Sequence, residues 1–127
     1  YFRDFWRAVS GLLAAMHVLA ALGEAPEGTT VSQLMARFTP YCDSGEINSV
    51  VTDIEGITRA VRSAYESQPD VSIDTLDGLT VTGPDWWFNL RPSNTEPLLR
   101  LNVEAPDAQR MSALRDSVLS MVRSGGA

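Results

Sequence analysis

No lysine occurs anywhere in the chain, so all ten of its basic residues are arginine. They are scattered, and we read the bias as that of a GC-rich genome rather than as chemistry. Sixteen acidic residues outnumber them and leave a net charge of −6. That balance excludes the broad basic stripe a nucleic-acid surface requires. A single cysteine, Cys42, excludes an internal disulfide, and no spacing suggests zinc. A reducing, cytoplasmic compartment is the default expectation. Long apolar runs are missing too. The run at residues 12–22 contains His17 and falls short of the ~20 residues a bilayer needs. It also lacks the basic start and small-residue cleavage site of a signal peptide. Neither a membrane nor a nucleic acid is therefore expected as a partner. The chain begins at Tyr1 with no Met, and so reads as a piece of something longer.

What is present suits one ordinary domain with an appendage. The 127 residues are 44% apolar and 20% charged, as in soluble globular proteins. A seam is expected near residues 39–44. Before it, residues 10–22 predict a helix with Leu12, Leu13, Met16, Leu19 and Leu22 in a broad buried stripe. Ala and Val on its other side make it apolar all round, the mark of a helix inside a larger body. Thr30 and Gln33 have capping-box spacing for a second helix, with Val31, Leu34, Met35 and Phe38 on one face and Pro40 as its stop. After the seam the period changes. A strand at 46–51 leads to a helix capped by Thr52 and Glu55, with Ile54, Ile57, Val61 and Tyr65 at helical spacing. Strands at 71–75 and 79–82 flank an Asp77-Gly78 hairpin turn. Further strands at 86–91 and 98–104 alternate in polarity, and Pro106 and Asp107 open a last helix with Met111, Leu114, Val118 and Met121 inward. Residues 124–127 are expected to fray.

The predicted fold class is therefore α+β: strand, helix, four strands, helix. A mostly antiparallel sheet carries two helices on one face, preceded by two further helices.

The chemistry concentrates in Arg91-Pro92-Ser93-Asn94-Thr95-Glu96-Pro97, a turn between two apolar strands. A guanidinium offers a planar fork to an oxyanion, and hydroxyl and amide donors fill the remaining lone pairs. If Trp86, Phe88 and Leu90 face the core, then Trp87, Asn89 and Arg91 face outward. Backbone amides of Ser93, Asn94 and Thr95 could add an anion-cradling nest. Arg91 is the only cation in the window 85–99. On residue types alone, a plain polar hairpin capping its own backbone explains the turn as well.

This seven-residue run resembles the phosphate-binding loop of the alpha-D-phosphohexomutases, the family of phosphomannomutase and phosphoglucomutase. The opening Tyr1-Phe2-Arg3-Asp4-Phe5, the run Ser44-Gly45-Glu46-Ile47-Asn48-Ser49 and the run from Leu98 to Glu104 resemble the family's C-terminal third, in its order. The resemblance implies a TBP-like last domain at 41–127, and a helical remnant of the preceding sugar-binding domain at 1–40. It implies that Arg91, Ser93, Asn94 and Thr95 grip the phosphate of a hexose phosphate, a mannose or glucose phosphate, with glucosamine phosphate as a sister possibility. The intact enzyme would move a phosphoryl group between C6 and C1 through a phosphoserine and a bisphosphorylated intermediate. It would use Mg2+ and a hexose 1,6-bisphosphate activator, and upstream domains of the same enzyme as partners. The family's phosphoserine loop, Asp-rich magnesium loop and GEHSGH-type sugar loop do not occur in this sequence. This portion is thus expected to carry no catalytic and no metal residues and to be inactive alone. Where relatives read close to RADSG, this chain has Arg7-Ala8-Val9-Ser10-Gly11; the Asp cap is lost and Ser10 is available to replace it.

A reading from another class is a stand-alone anion-binding or interaction domain sharing the fold. Of the remaining candidates, His17 reads as a core or interface histidine and Cys42 as a packing residue. Glu46 and Asn48 read either as braces of the seam or as a solvent-facing strand edge. Trp87 is an outward aromatic in want of a cover.

Overall fold

The structure, a computed structural model, describes residues 1–36 and 38–124, so the expected fraying of residues 125–127 lies outside the described residues. The chain divides into two compact units, Tyr1–Pro40 and Tyr41–Ala127.

In the first unit, α1 (Gly11–Glu24) begins at Ser10, whose side chain accepts from the amide of Leu13. Ser10 thus takes the cap that Val9 cannot supply. A second helix, α2 (Val31–Ala36), opens with the reciprocal capping box: Thr30 N donates to Gln33 Oε1 at 2.9 Å, and Gln33 N donates to Thr30 Oγ1 at 3.3 Å. Only Leu34 of α2 is buried. No residue of α1 is buried, and Leu12, Met16 and Leu19 are exposed, so the apolar stripe that reads as belonging inside a larger body is left uncovered here. The reason is stoichiometric: one six-residue helix cannot cover a helix that is apolar all round. His17 is exposed and stacks on the Phe2 ring, so it is not a core histidine.

The second unit is a single antiparallel sheet under two helices. Its strands are β1 (Cys42–Asp43), β2 (Ile47–Val50), β3 (Ser72–Asp74), β4 (Leu79–Thr82), β5 (Trp87–Pro92) and β6 (Leu98–Ala105). The order across the sheet is β1-β6-β5-β4-β3, with β2 pairing β6 along the same edge as β1. The strand expected at 46–51 is therefore shorter and preceded by an extra segment. Gly45, at φ +62, breaks the edge between the two, a conformation open to glycine.

Helix α3 (Ile54–Tyr65) is capped by Asp53, which accepts from Gly56 N at 2.8 Å, and not by Thr52. The Asp53 carboxylate, one residue on, accepts from the amide three residues ahead, as an N-cap does, so the helix starts after it. Helix α4 (Ala108–Ser124) buries Met111, Val118, Leu119 and Val122, with Leu114 and Met121 only partly buried. Leu119 and Val122 thus join the expected inward residues Met111, Leu114, Val118 and Met121. Both helices cover one face. Ile57, Val61 and Tyr65 from α3 meet Val81, Phe88, Leu90, Leu99, Leu101 and Val103 from the strands in one core. Cys42 packs against its margin. Among the described residues no helix is long and apolar enough to cross a membrane.

Candidate functional site

With Phe88 and Leu90 buried, period-2 alternation sends Trp87, Asn89 and Arg91 to the open face of the sheet. On β6 the buried Leu99, Leu101 and Val103 send Arg100, Asn102 and Glu104 to the same face. Pairing of β5 with β6 then sets Trp87 opposite Glu104, Asn89 opposite Asn102 and Arg91 opposite Arg100. Trp87 is not bare: its Nε1 donates to Glu104 Oε2 at 3.0 Å. At the other end two guanidiniums stand directly across from one another, a like-charge pair that needs anions.

Two carboxylates supply them from within. Glu46 spans the pair: Oε2 accepts from Arg91 at 3.3 Å and Oε1 lies 3.5 Å from Arg100. Its backbone is held in place by the preceding residues. Ser44 N donates to Val103 O at 2.9 Å, Val103 N donates back to Ser44 Oγ at 3.0 Å, and Gly45 N donates to Asp43 Oδ1 at 2.9 Å. Asp77, at the hairpin turn before β4, lies 3.5 Å from the other arm of Arg91.

The 93–97 turn closes the arrangement. Ser93 N donates to Leu98 O at 2.9 Å, which fixes the hairpin end, and Thr95 N donates to Ser93 Oγ at 3.4 Å. Two of the three amides expected to form a nest are therefore occupied, and the donors facing outward are side chains. Arg100 donates to Ser93 Oγ at 3.3 Å, and the Ser93 and Thr95 hydroxyls are 3.5 Å apart. Asp77, Arg91, Pro92, Ser93, Asn94, Thr95 and Arg100 together line a cavity of about 260 Å³. All four residues singled out from the sequence line it. It also brings in Arg100 and Asp77, and Glu46 braces it through both arginines. Arg100 lies one residue beyond the stretch 85–99, in which Arg91 is the only cation. Its outward phase, shared with Arg91 across the hairpin, was the signal that could have found it. In the sequence Asp77 stands out only as turn chemistry, and Glu46 only as an edge or seam residue.

Such a cluster can do one thing well. Two guanidiniums, two hydroxyls and an amide around a small polar hollow present donors in several directions, as a tetrahedral oxyanion requires. Among the described residues no three His, Cys, Asp or Glu side chains converge to hold a metal ion.

The comparisons with known proteins agree with one another. A family model described as phosphoglucomutase/phosphomannomutase, C-terminal domain, matches residues 46–121. The chain is 38% identical over 122 residues to a phosphomannomutase of Methanocaldococcus jannaschii, a match covering 96% of this chain and 26% of that protein. It is 39% identical over 126 residues to a phosphomannomutase of Escherichia coli strain K12, covering 96% and 26%. A crystal structure of a phosphoglucomutase/phosphomannomutase family protein from Burkholderia thailandensis shares the fold, with a TM-score of 0.70 at 21% identity over 98% of this chain and 26% of that one. The chain thus spans about a quarter of the length of the relatives it matches.

Proposed function

From the premise that this chain belongs to the phosphoglucomutase/phosphomannomutase family and carries its C-terminal domain, we propose that it grips the phosphate of a hexose phosphate for a phosphohexomutase. The observation that carries this reading is the opposed pair Arg91 and Arg100, set beside the Ser93 and Thr95 hydroxyls on one polar cavity. Arg91 supplies the bidentate fork, and Ser93, Asn94 and Thr95 fill the remaining oxygens. In this reading the phosphate held here is the one remote from the reacting centre. Its binding energy goes into positioning the sugar.

The whole protein would interconvert hexose 6-phosphate and hexose 1-phosphate, with a mannose or glucose phosphate as substrate. A phosphoserine, Mg2+ and a hexose 1,6-bisphosphate activator belong to that wider reading. In that reading the metal's ligands belong to the family's Asp-rich loop, in other segments of the enzyme. Residues 1–40 would be the helical remnant of the preceding sugar-binding domain.

An amide NMR titration of this chain with glucose 1-phosphate, with glucose as control, tests the reading. Shifts at residues 91–95 and Arg100, seen only with the phosphorylated sugar, are the expected result. Equal responses to both ligands, or none at these amides, would reduce the turn to a plain polar hairpin. In the enzyme containing this chain, Arg91→Ala should raise KM for the sugar phosphate about 10- to 100-fold, the worth of a charge-assisted hydrogen bond.

A further inference from the structure

The two carboxylates around the arginine pair are not equivalent. Glu46 touches both guanidiniums from a backbone pinned to β6, and it does not line the cavity. Asp77 lines the cavity, touches only Arg91 and leaves its side chain 80% exposed. Glu46 is therefore the fixed clip behind the arginines, and Asp77 stands on the side from which a ligand arrives.

We propose that Asp77 is a built-in competitor: its carboxylate contests Arg91 with the incoming phosphate and holds the affinity of the site down. The proposal rests on the phosphate-binding reading above. With Asp77 in place, two guanidiniums and two carboxylates leave the cluster formally neutral, so little long-range attraction remains for an anion. With Asp77 turned to solvent, or replaced by a neutral residue, the cluster carries one net positive charge. An exposed single ion pair is cheap to break, so the exchange of carboxylate for phosphate has a low barrier. The placement is built into the fold and is not a rotamer accident. Gly78, next in line after the Leu79–Leu90 pair, packs its backbone against Arg91, and Asn89 Nδ2 donates to Asp77 O at 2.8 Å. The chemical consequence is a phosphate site tuned for turnover and not for retention. A carboxylate at the rim repels phosphate monoesters that stay bound as well as those that arrive.

Asp77→Asn tests this cleanly, since Asn-Gly is at least as good a hairpin turn as Asp-Gly and the fold survives. Glucose 1-phosphate is titrated by amide NMR into this chain, its Asp77→Asn variant and a Glu27→Gln variant that removes an exposed charge in the other unit. Asp77→Asn should bind about fivefold more tightly, as expected for removing one like charge a few ångströms away. Its affinity should also fall more steeply with added salt than that of the unaltered chain, a difference no purely structural role produces. Glu27→Gln should match the unaltered chain. Equal or weaker binding by Asp77→Asn, with the unaltered chain binding at residues 91–95, would overturn the competitor role and leave the phosphate reading standing. No binding by the unaltered chain would overturn both.

Discussion

A Cβ built on Gly78 would lie 2.6 Å from the Cβ of Arg91 and 2.7 Å from the carbonyl oxygen of Leu90. The backbone of Gly78 also sits at φ +73. Both facts forbid a side chain, one by collision with backbone and the other by the left-handed conformation. A residue without functional groups thereby fixes where the Arg91 stem emerges. Gly78→Ala should destabilise the domain by about 1–2 kcal/mol from the left-handed penalty alone, with the collision adding to it. A denaturant midpoint shift of at least that size checks it, and the Arg91 amide resonance should move with it. Arg91 and Glu46 are each only about one-third exposed, 38% and 36%. The pair is therefore better ordered than a free surface ion pair, though still within reach of solvent.

At the scale of elements, the Asp53 cap is the clearest local dependence. Its carboxylate accepts from the Gly56 amide and sits at the positive end of α3. Asp53→Ala should cost about 1 kcal/mol, while Thr52→Ala should be close to neutral; urea unfolding of the two variants separates these outcomes. Elements whose apolar residues repeat at one period were legible in the sequence. The 79–82 strand, the alternation of β6 and the inward Ile57, Val61 and Tyr65 of α3 emerge where expected, because local periodicity decides them. The cap was misplaced by one residue, since Thr and Asp are both good caps and only tertiary packing selects the starting turn. Half the site was legible for the same reason. Arg91, Ser93, Asn94 and Thr95 are contiguous, and a motif displays them. Glu46 lies 45 residues from Arg91 and reaches it only because β2 pairs with β6, a register no local pattern encodes. In residues 1–40 apolar periodicity marks a face that wants a cover, but burial needs a partner surface, and α1 keeps Leu12, Met16 and Leu19 exposed.

Taken whole, the 41–127 unit rests on an aromatic cluster as much as on its aliphatic core. Tyr65 meets Phe88 edge-on at 5.1 Å and Trp86 at 5.9 Å. Burial raises its phenol pKa from the ordinary 10.0, partly offset by the neighbouring Ser117 hydroxyl. The folded state then holds the phenolic proton more tightly than the unfolded state. This contribution is complete below the unfolded value of about 10 and is lost as pH rises through the folded one. The denaturant midpoint should consequently fall above pH ~10, and Tyr65→Phe should flatten that fall. A midpoint equally pH-dependent in both proteins would assign the loss to other groups.

The pairing of β5 with β6 has one more consequence. The alternation that turns Leu90, Leu99 and Leu101 inward is the same alternation that turns Arg91 and Arg100 outward. A slip of either strand by one residue would bury a guanidinium and expose a leucine. A one-residue slip is therefore an all-or-none error, since it cannot misplace the arginines without also dismantling the core. The packing of Leu90, Leu99 and Leu101 thus selects the face on which both guanidiniums emerge, while Gly78, Glu46 and Asp77 set their aim on that face.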